Sequence, residues 1–178
     1  VYTPDECQKM IDKYLDTFPA IRKWHEETRM EVIRYRMIAT TWGRIFDFSG
    51  MQLSNDVFKK AYAYRPQSEV ADLLNQWGFL FLHSYLKRAR MRSRLNLQVH
   101  DALVVSALPE EAWTIASVTA ESLQRPRLYK GEALSIPVSV KIGLNWGDMQ
   151  EFKVLPPKPV FEDAVRELVR KGKLGGKE

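Results

Sequence analysis

The first third of the chain carries apolar residues at helical spacing, which predicts two helices in succession. Thr3-Pro4-Asp5-Glu6 has the pattern of a capping box, in which the Thr3 hydroxyl and the Glu6 carboxylate each accept the other residue's backbone N–H. The apolar face of the first helix consists of Cys7, Met10, Ile11, Tyr14, Leu15 and Phe18. Pro19 is expected to end this helix and to open the second.

The pattern changes from helical to extended after residue 36. Residues 37–41 and 44–48 flank Trp42-Gly43 and predict a short β-hairpin. Ser54 and the two residues after it offer an N-cap for a third helix. Pro66 is expected to interrupt this helix, so that a separate long helix follows with its own apolar face.

Two short apolar segments in the middle of the chain, 95–99 and 103–106, predict a second hairpin with His100-Asp101-Ala102 at its tip. Pro109 opens a further helix that Pro126 closes. The remaining predicted elements are a strand at 136–142, a stiff proline-rich linker at 156–159, and a short amphipathic helix at 161–169 followed by a Gly/Lys tail. Together they predict an α+β fold with long helices packed on a small, mostly antiparallel sheet.

The composition is that of a globular protein with a mild preference for polyanions. The chain has 178 residues, of which 45% are hydrophobic and 28% charged, and its formal net charge is +5 with a pI near 9.3. Its single cysteine, Cys7, excludes an internal disulfide and a cysteine-rich zinc site. The apolar stretch from Trp77 to Leu82 is far shorter than the ~20 residues of a membrane helix. No signal-peptide pattern is visible, so a cytoplasmic protein without a membrane partner is expected.

A run of cations follows the long central helix. The basic residues between positions 87 and 94 are Lys87, Arg88, Arg90, Arg92 and Arg94. Cations near the C-terminal end of a helix are favoured by the helix dipole. The run is therefore interpreted either as a solvated helix end or as a patch that faces phosphates.

The sharpest chemical signal is an imidazole beside a carboxylate at the tip of the second hairpin. There Asp101 would be held on rigid backbone, and Mg²⁺ takes one or two such carboxylates together with substrate phosphates. The alternative is a turn aspartate that caps its own backbone. Gln67 follows Pro66 at the expected helix start, where its amide either caps the helix or reaches a ligand. The spacing does not decide between these two roles.

Five segments of the chain, taken in order, resemble the C-terminal part of the family A, or DNA polymerase I-like, DNA polymerases. Met10–Ile21 is similar to the fingers helix pair I-x-x-Y-F-x-x-(Y/F)-P-x-(V/I), Thr40–Arg44 to T-x-x-G-R, Pro66–Asp72 to P-x-Q-G-x-A-A-D, Gln98–Asp101 to Q-V-H-D-E, and Gly143–Trp146 to G-x-x-W. Each segment is short, but five in the family's order over residues 4–150 make a specific resemblance.

The resemblance implies a polymerase palm-type antiparallel sheet with part of the fingers. Residues 1–36 would be a helical fingers segment, 37–150 a palm with the motif C hairpin, and 151–178 an extension with the linker, the short helix and a basic tail. The implied reaction is a two-metal nucleotidyl transfer on a DNA primer–template, in which a primer 3′-oxygen attacks the α-phosphate of a dNTP.

The resemblance also implies roles for particular residues. Asp101 would be the motif C carboxylate that shares two Mg²⁺ ions with other acids, and His100 would lie near the primer terminus. The residues implied to contact DNA are Gln67, Gln98, Lys59, Arg44 and Arg65.

The chain departs from the family pattern in ways that bear on catalysis. Ala102 replaces the usual motif C glutamate, Ala63 replaces an asparagine that contacts DNA, and Ser68-Glu69 replaces Gly-Thr. The 178 residues hold neither the D-Y-S-x-I-E-x-R motif with the second metal carboxylate nor the R-x-x-x-K-x-x-x-(F/Y)-x-x-x-Y-G helix that binds the triphosphate. One carboxylate is too few for two divalent ions. The chain is therefore expected to work only with a companion polypeptide that carries these motifs.

Two other interpretations remain open on the sequence. A non-catalytic DNA-binding or scaffold subunit that keeps the polymerase fold is favoured by Ala102 and Ala63. An unrelated basic α+β protein with chance similarities would lack a hairpin around His100-Asp101. If the chain is part of a polymerase, we expect a phage or bacterial source, with activity in bacterial or phage-infected host cytoplasm.

Overall fold

The computed structural model describes residues 2–129 and 131–175, and the chain divides into two compact units, Val1–Val70 and Ala71–Glu178. The first unit contains the elements α1 (Pro4–Thr17), α2 (Pro19–Tyr35), β1 (Met37–Ala39), β2 (Ile45–Asp47) and most of α3 (Asn55–Leu73). β1 and β2 form an antiparallel pair in which Ile38 is opposite Phe46.

The local signals at the start of the chain are confirmed. The Thr3 hydroxyl accepts the Glu6 N–H at 3.3 Å and a Glu6 carboxylate oxygen accepts the Thr3 N–H at 2.8 Å, which completes the capping box. Pro19 occupies the first turn of α2. The core of this unit lies between α2, the hairpin and α3, and it consists of Val32, Ile38, Phe48, Val57, Phe58 and Ala61.

The predicted break at Pro66 is wrong, because α3 runs through this proline without ending. An interior proline removes one backbone hydrogen bond and strains the preceding turn. Here the turns on either side are held by side-chain bonds from Arg65 and Glu69 to the β1–β2 hairpin. Gln67 consequently lies in the interior of a helix and not at a helix start.

The second unit continues from the end of α3, and its described residues form three antiparallel pairs. Its elements are a π-helical segment (Leu74–Leu80), α4 (Phe81–Arg88), β3 (Arg94–Val99), β4 (Ala102–Ser106), α5 (Pro109–Gln124), β5 (Arg127–Tyr129), β6 (Glu132–Leu134), β7 (Val140–Gly143), β8 (Met149–Phe152) and α6 (Lys158–Gly175). The pairs are β3–β4, β5–β6 and β7–β8. The α+β class is confirmed, with separate two-stranded ladders in place of one sheet.

The core of the second unit lies where α4 and α5 meet the β3–β4 hairpin. Leu82, Leu86 and Ile115 are buried there, with Leu103 and Val105 of β4 packed against them. The π-helical segment can approach β4 and α5 closely at position 78, because the residue there is glycine. A Cβ on Gly78 would lie 3.0 Å from Leu103 and 3.2 Å from Leu123.

Several predicted boundaries near the C-terminus are corrected. The strand predicted at 136–142 is reduced to β7, because Pro137 has no N–H to give to a ladder. The sequence pattern does not predict β5 or β6. The linker predicted at 156–159 is shorter, since Lys158 and Pro159 already belong to the first turn of α6, where proline is tolerated. The predicted tail is helical to Gly175, and residues 176–178 lie outside the described residues.

The C-terminal helix α6 packs on the same unit. Phe161 is 1% exposed and its ring lies 5.7 Å from that of Trp113 in α5 and 5.8 Å from that of Phe152 in β8. Further along α6, a Cβ on Gly172 would lie 2.7 Å from the Leu144 side chain. The helix therefore packs on α5 and reaches Leu144, within the G-x-x-W segment.

Among the described residues, no helix has both the length and the apolar character needed to cross a membrane.

Phe161→Ala tests whether α6 is part of the folded unit. Truncation of a buried phenylalanine in contact with two other rings is expected to lower the free energy of unfolding by about 3–5 kcal/mol. Val160→Ala is the matched control, because Val160 is the neighbouring residue and is 53% exposed. Chemical denaturation of both variants measures the difference; equal stabilities would contradict the packing of α6.

Candidate functional site

The β3–β4 hairpin places Asp101 at the end of a two-residue turn. Val99 pairs with Ala102 across the turn, so Ala102 belongs to β4 and only His100 and Asp101 connect the strands. This confirms the predicted hairpin and shortens its predicted tip by one residue. Asp101 and His100 are both exposed. The described residues show no hydrogen bond or ion pair to the Asp101 carboxylate, so its oxygens face solvent.

The turn holds His100 in a conformation that side chains rarely adopt. Its φ is +52°, in the left-handed region, where a Cβ meets the following carbonyl. A positive φ favours glycine at this position, because glycine has no Cβ. A histidine here costs of order 1 kcal/mol, and such strain tends to lie at functional positions.

One side of the hairpin is anchored in the core and the strands carry a bulge. Leu95, Leu103 and Val105 pack on the cluster around Leu82. The register shifts between Leu95 and Leu97, so that Asn96 is the extra residue of a bulge. Its side-chain amide donates to the Ser106 hydroxyl at 2.6 Å. A bulge bends a strand and increases its twist, which changes the direction of the residues beyond it.

The base of the β3–β4 hairpin is closed by a carboxylate from α5, a feature that no local sequence pattern predicts. Glu111 accepts the backbone N–H groups of Arg92 at 3.0 Å and Ser93 at 2.8 Å, as well as the Ser93 hydroxyl. The same hydroxyl accepts the Leu108 N–H at 2.9 Å, on the other side of the hairpin. The hydrogen bond from the Ser93 side chain is the main cause of a lowered pKa at Glu111.

The run of cations straddles this base and is not a single helical face. Lys87 and Arg88 end α4, Arg90 lies in a turn with φ +51°, and Arg94 begins β3. Arg92 is paired with Glu110 at 2.6 Å. Lys87 and Arg88 remain exposed.

The residues implied to contact DNA are distributed over both units. Gln67 is exposed on α3, and Gln98 is half-buried on β3, where it pairs with Leu103. Lys59 is exposed in α3, 3.5 Å from Asp56. These placements leave their assignment to DNA as a prediction.

Arg44 and Arg65, which are also implied to contact DNA, form hydrogen bonds within the first unit. Arg44 lies in the β1–β2 tip, residues 40–44, and its backbone N–H donates to the Thr40 hydroxyl at 3.1 Å. Arg65 is bound to the Glu31 carboxylate at 2.9 Å and to the Ala39 carbonyl at 3.0 Å. A DNA contact from Arg65 would have to compete with these bonds.

Asp101 is the candidate in this chain for one ligand of a metal site. Among residues 2–129 and 131–175, no three His, Cys, Asp or Glu side chains lie together in a way that could hold an ion. Asp101 fits a shared Mg²⁺ site, because it is a hard oxygen donor on a short, anchored turn with its oxygens exposed.

A comparison with models of known protein families identifies the family of this chain. A family model described as DNA polymerase family A matches residues 2–148. The chain belongs to DNA polymerase family A. The resemblance seen in the five sequence segments is thereby confirmed.

The relatives of this family A chain are bacterial and phage polymerases. It is 28% identical over 146 residues to the thermostable DNA polymerase I of Thermus aquaticus, covering 79% of this chain and 17% of that protein. It is 25% identical over 181 residues to the DNA polymerase of Bacillus phage SP01, covering 96% of this chain and 19% of that protein. The chain spans less than a fifth of each of these curated relatives, and the phage alignment covers 96% of this chain against 79% for the Thermus aquaticus alignment.

A solved structure shares the fold. The POL domain of Pol1 from M. smegmatis, in complex with DNA primer-template and dNTP, superposes with a TM-score of 0.61 at 21% identity. The superposition covers 68% of this family A chain and 22% of that chain. This supports the palm-type fold class.

His100→Gly is expected to stabilise the family A chain. Glycine adopts positive φ without a steric penalty, so the free energy of unfolding should rise by about 0.5–1 kcal/mol, whereas His100→Val should lower it. Urea denaturation of the two variants beside the wild type measures both effects. A loss of stability with glycine would mean that the imidazole, and not the turn geometry, determines this position.

Glu111→Gln is expected to destabilise the chain in a pH-dependent manner. The pKa of Glu111 is lower in the folded state than its ordinary value of 4.5, so its contribution to stability is present above that value and is lost as the pH falls through the folded pKa. The variant should be less stable than wild type at pH 7, and the difference in stability should be smaller at pH 3. Glu121→Gln, an exposed change on the same helix, is the control for loss of a charge. A gap of the same size at both pH values would contradict the assignment.

Proposed function

We propose that this chain is the C-terminal palm and fingers part of a DNA-directed DNA polymerase that performs template-dependent nucleotidyl transfer. The observation that carries the proposal is the two-residue turn that exposes Asp101 within the family-matched segment. Polymerase relatives from bacteria and a phage support it, as does a structural neighbour solved with DNA primer-template and dNTP. These relatives fit activity in bacterial or phage-infected host cytoplasm.

Each residue of the turn has a proposed task. Asp101 would provide one carboxylate for Mg²⁺, and two such ions, when bound, supply charge neutralisation at the attacking and leaving oxygens. His100, next to it in the turn, would contact the primer terminus. Gln98, one residue before the turn, would donate its amide to a minor-groove acceptor. Every base pair presents an acceptor there, so this contact does not depend on sequence.

Catalysis requires acids and a triphosphate-binding helix that lie outside these 178 residues. One carboxylate cannot complete the coordination of two divalent ions. The apolar face of α1 supports the existence of a covering polypeptide, since Met10, Tyr14 and Phe18 are 50%, 54% and 49% exposed. We therefore infer a companion that carries the D-Y-S-x-I-E-x-R motif and the nucleotide-binding helix.

A second candidate function is a non-catalytic DNA-binding or scaffold subunit. The observation that favours it is the exposed Ala102, which offers no carboxylate beside Asp101 where the family has a glutamate. Mg²⁺ titration of the complete assembly discriminates between the two. Turnover that depends on Mg²⁺ supports the enzyme, and DNA binding without turnover supports the scaffold.

Asp101→Asn is the decisive variant for the enzyme. In the assembly with the companion, the change should lower the rate of dNTP incorporation by roughly 10³-fold, because an amide is a weaker ligand for Mg²⁺ than a carboxylate and brings no negative charge to hold the ion. Affinity for the primer–template should remain within about twofold, since the side chain keeps its size and lies on the same turn. Primer extension and duplex binding are measured on the same preparation.

Asp163→Asn serves as the control for loss of an exposed carboxylate. Asp163 lies on α6, far from the hairpin in the sequence, and is paired with Arg166. It should extend primers at the wild-type rate. Full activity of Asp101→Asn would refute the metal-ligand role of Asp101, and incorporation by the isolated chain would refute the need for a companion.

A further inference from the structure

Two side chains one turn apart on α3 hold the end of β1. Glu69 accepts two hydrogen bonds from Thr41, one from the backbone N–H to Oε1 and one from the hydroxyl to Oε2, each at 2.6 Å. Arg65 donates from Nε to the Ala39 carbonyl at 3.0 Å. Residues four apart lie on the same face of a helix, so these two side chains, here called the α3 clamp, reach adjacent parts of the hairpin.

The clamp is itself fixed to α2. Nη2 of Arg65 lies 2.9 and 3.1 Å from the two carboxylate oxygens of Glu31. The side chains of Arg65 and Glu31 are only 23% and 32% exposed, so solvent screens this pair less than an ordinary surface ion pair. The Arg65 guanidinium is thus hydrogen-bonded to two other residues of the first unit, Glu31 and Ala39.

A displacement of Thr41 would be transmitted to the rest of the hairpin tip. The buried Thr40 donates its N–H to the Arg44 carbonyl at 2.9 Å, and its own carbonyl accepts the Gly43 N–H at 3.0 Å. Its hydroxyl accepts the Arg44 N–H at 3.1 Å. These hydrogen bonds link the residues of the hairpin tip to one another, and Glu69 holds the tip against α3.

The clamp and Gln67 lie on different faces of α3. Gln67 is two residues from Arg65 and two from Glu69, which places it about 200° around the helix from either. It is exposed, whereas Arg65 and Glu69 are half-buried. One turn of α3 therefore holds the hairpin on one face and presents an amide on another.

We propose that Arg65 and Glu69 are positioning residues that set the place of the hairpin tip, including Arg44, relative to Gln67 when primer–template DNA binds. This rests on the proposed function. It reassigns Arg65 from a DNA contact to a residue that acts through the hairpin. It also accounts for an anion, Glu69, at a position where the family has threonine, because a negative charge near DNA would by itself weaken binding.

Amide hydrogen exchange on the full 178-residue chain tests the clamp without DNA. In Glu69→Ala the Thr41 amide should lose at least about tenfold of its protection, because its acceptor is gone. The Gly43 amide, bonded to Thr40, should stay protected. Glu27→Ala is the control, since it removes a charge from α2 whose ion-pair partner, Lys23, lies on the same helix. Equal protection of Thr41 in wild type and Glu69→Ala would overturn the clamp.

Binding of a fluorescein-labelled primer–template duplex tests the consequence for function. Glu69→Ala should weaken binding roughly fivefold although it removes a negative charge, and Glu69→Gln, which keeps one acceptor, should lie between. In the Arg44→Ala background the same change should have little further effect, because the contact that the clamp places is already lost. Additive losses, or binding that is unchanged or tighter in Glu69→Ala, would overturn the positioning role.

Glu31→Ala separates the two roles of Arg65. If Arg65 contacts DNA directly, loss of its carboxylate partner should leave binding unchanged or tighter. If Arg65 acts through the hairpin, Glu31→Ala should weaken binding about as much as Arg65→Ala. A wild-type chain that does not bind the duplex, alone or with its companion, would refute the proposed function, while the exchange experiment would still decide the clamp.

Discussion

A two-residue turn between antiparallel strands leaves little freedom in how the strands are paired, and the position of Asp101 depends on this constraint. Val99 is opposite Ala102, and from there the register brings Leu103 and Val105 onto the core formed by α4 and α5. A shift of one residue would turn these apolar side chains to solvent. The hydrophobic packing at one end of the hairpin therefore fixes the carboxylate at the other.

The hairpins of the two units are held by the same kind of bond. Glu69 accepts the N–H and the hydroxyl of Thr41, and Glu111 accepts the N–H and the hydroxyl of Ser93. In each case one residue near the end of a strand has two donors, its backbone N–H and its hydroxyl. A carboxylate on a neighbouring helix accepts both hydrogen bonds in place of water. Charge-assisted bonds of this type are shorter and stronger than neutral ones, and a pair of them fixes orientation as well as distance.

Local patterns in the sequence were sufficient for features that depend on nearby residues. The capping box at Thr3, the division at Pro19 and both predicted hairpins follow from spacings of a few positions. The continuous course of α3 through Pro66 could not be predicted in this way, because the bonds that hold its flanks join residues 26 and 28 positions apart. The role of Glu111 is non-local for the same reason, since its partners lie 18 and 19 positions away.

The same contrast explains why Asp101 could be singled out from sequence while its supporting residues could not. Glu31, Glu69 and Glu111 use their oxygens on donors of the protein itself. Asp101 lies on a strained turn with an anchored base, and no donor among the described residues occupies its oxygens. A carboxylate in that position gains nothing for the fold from its charge, and its oxygens are available to a hard cation. Water alone would satisfy an exposed aspartate on any flexible loop. The strained histidine beside Asp101 therefore fits the proposed role of this carboxylate, in which a ligand needs it at a fixed point.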